Sequence, residues 1–399
     1  MSRRLRYLRY AVEALLVSAL FGSTLYQLAV YLANRRFWRQ TLPPPPDQTP
    51  SVSAIVPLRG KTLDTLALLH VLVSTAPTEQ YEVILVLEDE HDPAYAIAQQ
   101  IAQSYPQRAR VVLSGPPGRH AGKMHSLNAG YLTARGELIA FVDAQVQVSA
   151  ALWFAALAVL QEPAVGAVFA PPLVAEPEHR LESGLGAGGE MLTALHINHA
   201  QSAPLPFAAL SNRLNALTTG FMVVRRRALE EAGGMLHLLD EGSDGISLGR
   251  ALREAGYRLA MIPVPALIVP EPETFNQAVS GLRRLLIVSR AYNRPSFIAW
   301  PFTNPQTVGL LLSFITEREG RWWGRRTWWT FVALRTALAY ELDRLRFGRS
   351  FTWLAYAQLF MLDTFITPTL WAQALLQSTF TWRGRTYRIA RGGKVTPLE

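Results

Sequence analysis

ELIAFVDAQVQV, residues 137–148, is the stretch from which the fold of this chain can be read. Residues 138–142 are an apolar, β-rich run that stops at Asp143, and Ala144 and Gln145 follow where a second carboxylate would sit two places on. A charge is costly to bury, so a carboxylate closing an apolar strand belongs at the rim of a sheet. Similar short runs occur at SVSAIVP (51–57), YEVILVLE (81–88), ARVVLS (109–114) and VGAVFA (165–170). Between the first three lie helix-like stretches, LDTLALLHVLVST (63–75) and DPAYAIAQQIAQSY (92–105). This alternation predicts an α/β domain with a mostly parallel sheet. Such sheets bind ligands at the carboxyl ends of their strands, which makes Glu88, Asp89 and Asp143 candidates for a site.

Composition narrows the classes further. With 399 residues and an apolar share of 49%, the chain is long and apolar enough for one large catalytic domain with appendages, and it is not a disordered protein. It has no cysteine, which excludes disulfides, thiolate nucleophiles and cysteine-held zinc, and leaves only oxygen and histidine to bind a metal. The net charge of +9 is concentrated: residues 283–349 carry twelve arginines against Glu317, Glu319, Glu341 and Asp343. Those arginines are interleaved with tryptophan and uncharged runs, which fits a membrane interface and not a nucleic-acid face.

Residues 11–33 hold a single charge, Glu13, and reach the roughly 20 residues needed to cross hydrocarbon, so they predict a transmembrane helix. A cleaved signal peptide is the competing reading, but the run is long for one and no small-x-small cleavage site follows it. Arg3, Arg4, Arg6 and Arg9 flank one end, and Arg35, Arg36 and Arg39 the other, so charge does not set the orientation. LPPPPDQTP (42–50) cannot continue a helix and reads as a stiff spacer. Further uncharged stretches lie at 296–316, 328–334 and 351–380, where Asp363 is the sole charge in the last. Pro301 and Pro305 interrupt the first and the second is too short to span, which predicts interfacial or re-entrant helices with one true span or hairpin near 351–380. The tail TWRGRTYRIARGGKV (381–395) alternates and reads as a short basic ribbon.

No GxGxxG follows the first strand and no GxxxxGK[ST] occurs, so neither dinucleotide nor P-loop chemistry has its phosphate cradle. Three acids at wide spacing offer another scheme: Asp89 in LVLEDEHDPA, Asp143 in FVDAQV, and Asp244 in LDEGSDGISLGRALREAGY. A strand-end carboxylate such as Asp143 can hold a divalent cation, Mg2+ or Mn2+, that neutralises a diphosphate leaving group. Asp244, just ahead of a helical stretch, can act as a base toward a hydroxyl nucleophile. Lys123, on a glycine-flanked loop before a helix, suits contact with phosphate. Taken singly, each acid also reads as an ordinary cap or turn residue. His196 and His199, at i and i+3, read as local hydrogen-bonding groups or as part of an acceptor mouth, since no HxxxH or HExxH spacing occurs.

The ordered set SAIVPLRG, LVLEDEHDPA, GKMHSLNAGY, ELIAFVDAQVQV, LTTGFMVVRRRALEEAGG and SDGISLGRALREAGYRLAM resembles the inverting glycosyltransferases of family 2. It is most similar to the ceramide glucosyltransferases of family 21 and the related hopanoid-associated enzymes. The resemblance covers about residues 50–295 and extends to the membrane plan. It implies a GT-A fold using a UDP-sugar, with Asp89 as a uridine contact, Asp143 near the metal and diphosphate, and Asp244 as the base. Ceramide glucosyltransferases carry one aspartate at the second motif, as in Asp143-Ala144-Gln145 here. Two departures stand out. Ser243 precedes Asp244 where the family usually has glutamate, and GLRRLL offers Arg283 and Arg284 but puts Leu285 where the last motif has tryptophan. Arginine can still pair with diphosphate in a bidentate manner. Thr219 and Gly220, in LTTGFMVV, are expected near the acceptor or, equally, as part of a core strand.

On this reading the chain runs from an N-terminal transmembrane helix with basic flanks (1–40) through a Pro-rich linker (41–50) to a GT-A domain (51–295). Membrane-embedded or interfacial helices (296–380) and a basic tail (381–399) follow. The expected function is an integral membrane enzyme moving a hexose, in the first place glucose, from UDP to a lipid hydroxyl such as that of ceramide. The catalytic domain is expected to face the cytosol, where nucleotide sugars are made. A polysaccharide synthase is the alternative within the class, and an inactive membrane-bound nucleotide-sugar binder the alternative outside it.

Overall fold

Strand β1 (Val52–Pro57) is buried along nearly its whole length, as are β2 (Tyr81–Leu87) and β4 (Leu138–Val142), so their near-continuous apolar sequences reflect a sheet covered on both faces. The computed structural model describes residues 3–46, 49–176, 188–318, 320–382 and 384–398. Asp47 and Gln48 of the Pro-rich spacer, and Arg383 of the tail, lie outside the described residues.

Seven strands form the main sheet: β1, β2 and β4 with β3 (Ala109–Leu113), β6 (Val165–Phe169), β8 (Phe221–Arg225) and β9 (Arg258–Met261). They lie in the order β3-β2-β1-β4-β8-β6-β9. The β2/β3, β1/β2, β1/β4 and β6/β9 pairs are parallel, whereas β8 runs antiparallel to both β4 and β6. The sheet is therefore mostly parallel, with one reversed strand that the spacing of apolar runs does not reveal. Helices Thr65–Ser74, Tyr95–Ser104 and Gly122–Thr133 make the crossovers between successive parallel strands at its first edge. A small second sheet joins β5 (Val146–Gln147), β7 (Pro172–Val174) and β10 (Ala266–Ile268).

The tail is more than a ribbon. Strands β11 (Thr379–Trp382), β12 (Arg385–Ile389) and β13 (Val395–Leu398) form a three-stranded antiparallel sheet. By its contacts the chain divides into two units, and these differ from the linear segments read from sequence. One contains 39–175, 208–271 and 378–399, so the tail sheet joins the main sheet; the other contains 1–38, 176–207 and 272–377.

In the sheet unit the core centres on Trp153, whose ring meets Tyr81 edge-on at 5.7 Å and Phe221 at 4.9 Å between centroids. Trp153 is 1% exposed and sits on the apolar helix Ala150–Val159, which Ser149 caps.

Among the described residues, two helices of the helical unit are long and apolar enough to cross a membrane, Tyr7–Phe37 and Trp353–Leu376. The first leaves Leu8, Leu15, Phe21 and Leu32 more than half exposed, a face that suits lipid better than water. Their lone acids are paired. Arg321 donates twice to the Glu13 carboxylate at 2.8 Å, and Arg335 Nε lies 3.0 Å from Asp363 Oδ2 with both side chains 5% exposed. Asp363 lies in a π-helical turn, Leu362–Ile366, within the second helix. The apolar stretch 328–334 is no separate embedded piece: it belongs to a 25-residue helix, Trp323–Phe347, whose arginines keep it amphiphilic. Pro301 lies in a short 3-10 turn, Trp300–Thr303, and Pro305 starts the helix Pro305–Glu317, so the interruption expected from the prolines is present.

Trp153→Ala is expected to destabilise the protein by about 3–5 kcal/mol through the cavity it leaves between two rings. Denaturant unfolding of the detergent-solubilised chain checks this, and Trp153→Phe should lose clearly less.

Candidate active site

Three strands end on one rim. Arg59 follows β1, Glu88 and Asp89 follow β2, and Asp143 follows β4. Asp89 is 56% exposed and accepts a hydrogen bond from the His91 backbone N–H at 2.7 Å, so its loop is braced while its carboxylate faces outward. Asp92 braces the neighbouring loop by accepting from the Gly60 N–H at 2.9 and 3.1 Å. Glu88 accepts from Arg385 of β12 at 2.6 Å and lies 3.9 Å from Arg59.

Asp143 is fixed through its backbone. Its N–H donates to the Gly220 carbonyl at 2.9 Å, and its own carbonyl accepts from Val146 at 3.0 Å, closing a tight turn after the strand. Gly220 has φ +116°, a conformation that L side chains rarely adopt. The GF step in LTTGFMVV thus pins the carboxylate of a strand far away in sequence. After Ala144 the chain enters β5, and the Gln145 carbonyl accepts from Val269 at 2.9 Å.

Asp244 reaches the same place on a different element. Ser243 is the N-cap of helix Asp244–Glu254, its hydroxyl accepting from the Ile246 N–H at 3.4 Å. Ser243 thus starts the helix that carries Asp244, whose negative charge is favourable at that helix end. The helix lies directly against the backbone of residues 216–218. A Cβ on Gly245 would come within 2.5 Å of the Leu217 carbonyl oxygen, and one on Gly249 within 2.8 Å of Ala216 Cα. Glycines at i and i+4 therefore clear one helix face for close packing, which buries Asp244 to 7% exposure.

Lys123 joins the two carboxylates. It is the second residue of helix Gly122–Thr133, and its Nζ lies 2.7 Å from Asp143 Oδ1 and 2.8 Å from Asp244 Oδ2. Burial alone would pull this ammonium toward its neutral form, but attraction to Asp143 and Asp244 wins and holds its pKa above the ordinary lysine value. The chain thus brings together a cation, a rim carboxylate and a buried carboxylate. Among the described residues no cluster of three or more His, Asp or Glu side chains stands ready for a metal. Asp143 alone still fits a hard cation such as Mg2+, which commonly takes one or two carboxylates and completes its shell with phosphate oxygens and water.

Of the residues singled out from sequence, Lys123, Asp143, Asp244 and Gly220 form one constellation, Asp89 sits on the same rim, and Thr219 is half-buried next to Gly220. Arg283 and Arg284 lie on helix Phe275–Tyr292 of the helical unit, both half-buried. His196 and His199 are buried in that unit as well, where His199 Nε2 lies 3.2 Å from Asp343 in an internal polar network and not at an open mouth. The tail residues around the site, Phe380, Trp382, Arg385 and Tyr387, escape a reading of sequence. Only their alternation in TFTW and RTYRI hints that one face of a strand is turned inward.

The model of the family Glycosyl transferase family 21 matches residues 15–395. Ceramide glucosyltransferase 1 of Caenorhabditis elegans is 20% identical over 389 residues, covering 95% of this chain and 80% of that protein. Ceramide glucosyltransferase 3 of the same organism is 21% identical over 358 residues, covering 87% and 74%. Among solved structures, the mannosyltransferase PcManGT from Pyrobaculum calidifontis, in complex with GDP-Man and Mn2+, is similar with a TM-score of 0.54 at 18% identity, over 92% of this chain and 99% of that one. The fold is of the GT-A type.

Lys123→Met is expected to cost of the order of 3 kcal/mol, because it leaves two neighbouring carboxylates without their shared cation. Thermal and denaturant unfolding measure the loss, and adding Asp143→Asn to the same chain should restore part of it.

Proposed function

Since the chain belongs to glycosyl transferase family 21, we propose that it transfers a hexose, in the first instance glucose, from UDP to the hydroxyl of a membrane lipid such as ceramide, with inversion at the anomeric carbon. The observation that carries this reading is the Lys123 ammonium between Asp143 and Asp244. It joins the two tasks of such a reaction, neutralising a leaving diphosphate and taking a proton from a nucleophile.

Asp89, exposed at the end of β2, serves as a contact to the nucleoside, and Lys123 as a contact to the diphosphate. Asp143 would hold Mg2+ or Mn2+, which when bound supplies positive charge to the diphosphate oxygens. Asp244 takes the proton of the acceptor hydroxyl as its oxygen attacks C1 of the sugar. The bond from C1 to the diphosphate oxygen breaks on the opposite face, the electron pair leaves with UDP, and Lys123 balances the charge that appears there. One displacement gives one inversion. Thr219, Arg283 and Arg284 are proposed as acceptor or diphosphate contacts.

A lipid acceptor accounts for the apolar helices, which keep their substrate at hand, and for the tryptophan and arginine of the helical unit. Nucleotide sugars are made in the cytosol, so the sheet unit is proposed to face it. No nucleic acid is called for.

Asp244→Asn is expected to lower kcat by about 10²–10⁴ while leaving UDP affinity within about twofold, since a proton acceptor is lost and little else. Asp143→Asn should instead weaken UDP binding and make what remains insensitive to EDTA. Transfer by the purified protein in lipid nanodiscs, from UDP-glucose to ceramide, diacylglycerol or a hopanoid lipid, checks both. Wild-type rates from Asp244→Asn would remove the base from this scheme.

A further inference from the structure

The tail sheet builds one wall of the site beside Asp244. A narrow, half-open crevice is lined by Lys123, Glu241 and Asp244 together with Phe380, Trp382, Tyr387 and Val395. Phe380 and Trp382 alternate along β11 and are half-buried, whereas Thr379 and Thr381 between them are turned outward and exposed. Phe380 pairs across strands with Tyr387, the rings stacked at 5.8 Å. Tyr387 is 3% exposed, and its hydroxyl would lie 3.7 Å from a Cβ on Gly122, next to Lys123.

The sheet is fastened to the segment leading into Asp244. Gly242 N–H donates to the Gly393 carbonyl at 2.9 Å, Val395 N–H to the Asp240 carbonyl at 2.7 Å, and Arg385 reaches Glu88 at 2.6 Å. A Cβ on Gly242 would stand 2.9 Å from Val395 Cγ1 and 3.1 Å from the Gly393 carbonyl, so a larger residue there would push the tail sheet away. These bonds hold the aromatic wall in register with the base.

We propose that this crevice is the acceptor subsite, and that Phe380 and Trp382 seat the hydrocarbon adjoining the reactive hydroxyl of a lipid acceptor so that the hydroxyl meets Asp244. The proposal rests on the function proposed above. The lining favours the acceptor over the donor: it includes Asp244 but neither Asp89 nor Asp143, and beside the charged Lys123 and Glu241 it is mostly apolar and aromatic, which suits hydrocarbon. The crevice's free volume of about 30 Å3 has room for little more than a hydroxyl-bearing carbon, so the hydrocarbon that follows would lie along the aromatic wall outside it. Aromatic side chains give such a segment a large apolar contact without competing for the hydroxyl.

Two readouts test this on the full-length protein in nanodiscs. Trp382→Ala is expected to raise the acceptor KM at least about tenfold while UDP affinity stays within about twofold, with Trp382→Phe recovering most of the loss. A ceramide carrying a diazirine within a few carbons of its primary hydroxyl is expected to label residues 378–398 in the wild type, and to lose that label in Trp382→Ala and in excess unlabelled ceramide. An unchanged acceptor KM, UDP affinity falling in parallel with acceptor affinity, or label confined to other segments would overturn the proposal. Photolabelling needs no turnover, so a wild type that transfers to no lipid yet is labelled on the tail sheet would sink the proposed reaction and leave the subsite standing.

Discussion

The ammonium of Lys123, held within 3 Å of two carboxylates, is the interaction on which the site depends. Three segments separated by long stretches of chain must meet for it to exist. Each arrives by a different device: Lys123 on the first turn of a helix, Asp143 at the end of a buried strand, and Asp244 on a helix that serine starts and two glycines let approach. Without the lysine, Asp143 and Asp244 would repel each other in a partly dry place, and without either acid a buried ammonium would lack its counter-charge.

The same economy of charge appears in the helical unit. Glu13 and Asp363 are the lone acids in long apolar stretches, and each is met by an arginine, Arg321 and Arg335. An unpaired carboxylate in hydrocarbon would be expensive, and pairing lets a helix keep a charge without ceasing to be apolar outside. The exposed leucine and phenylalanine side chains of Tyr7–Phe37 then leave that helix an apolar outer face.

Chemistry and anchoring fall to different parts of the sequence, but the boundary is not linear. The chain leaves the sheet unit after residue 271, and returns to it at 378 to add the three-stranded sheet that borders Asp244. A segment that reads as a basic tail thereby becomes part of the wall of the site, through Arg385 on Glu88 and the backbone bonds at Gly242 and Val395.

What the sequence determined by itself is what local pattern encodes. The β-branched runs specify the strands, their apolar ends place Asp89 and Asp143 at the rim, and ordered motifs reach as far as Asp244, because burial and strand direction leave periodic traces. What only the tertiary structure decided is what depends on pairing over long distances: β8 reversed between β4 and β6, Gly220 fixing Asp143, and Trp382 lining the same crevice as the base. No window of sequence holds both partners of such contacts, and the free energy that selects them comes from closing the core around all of them together.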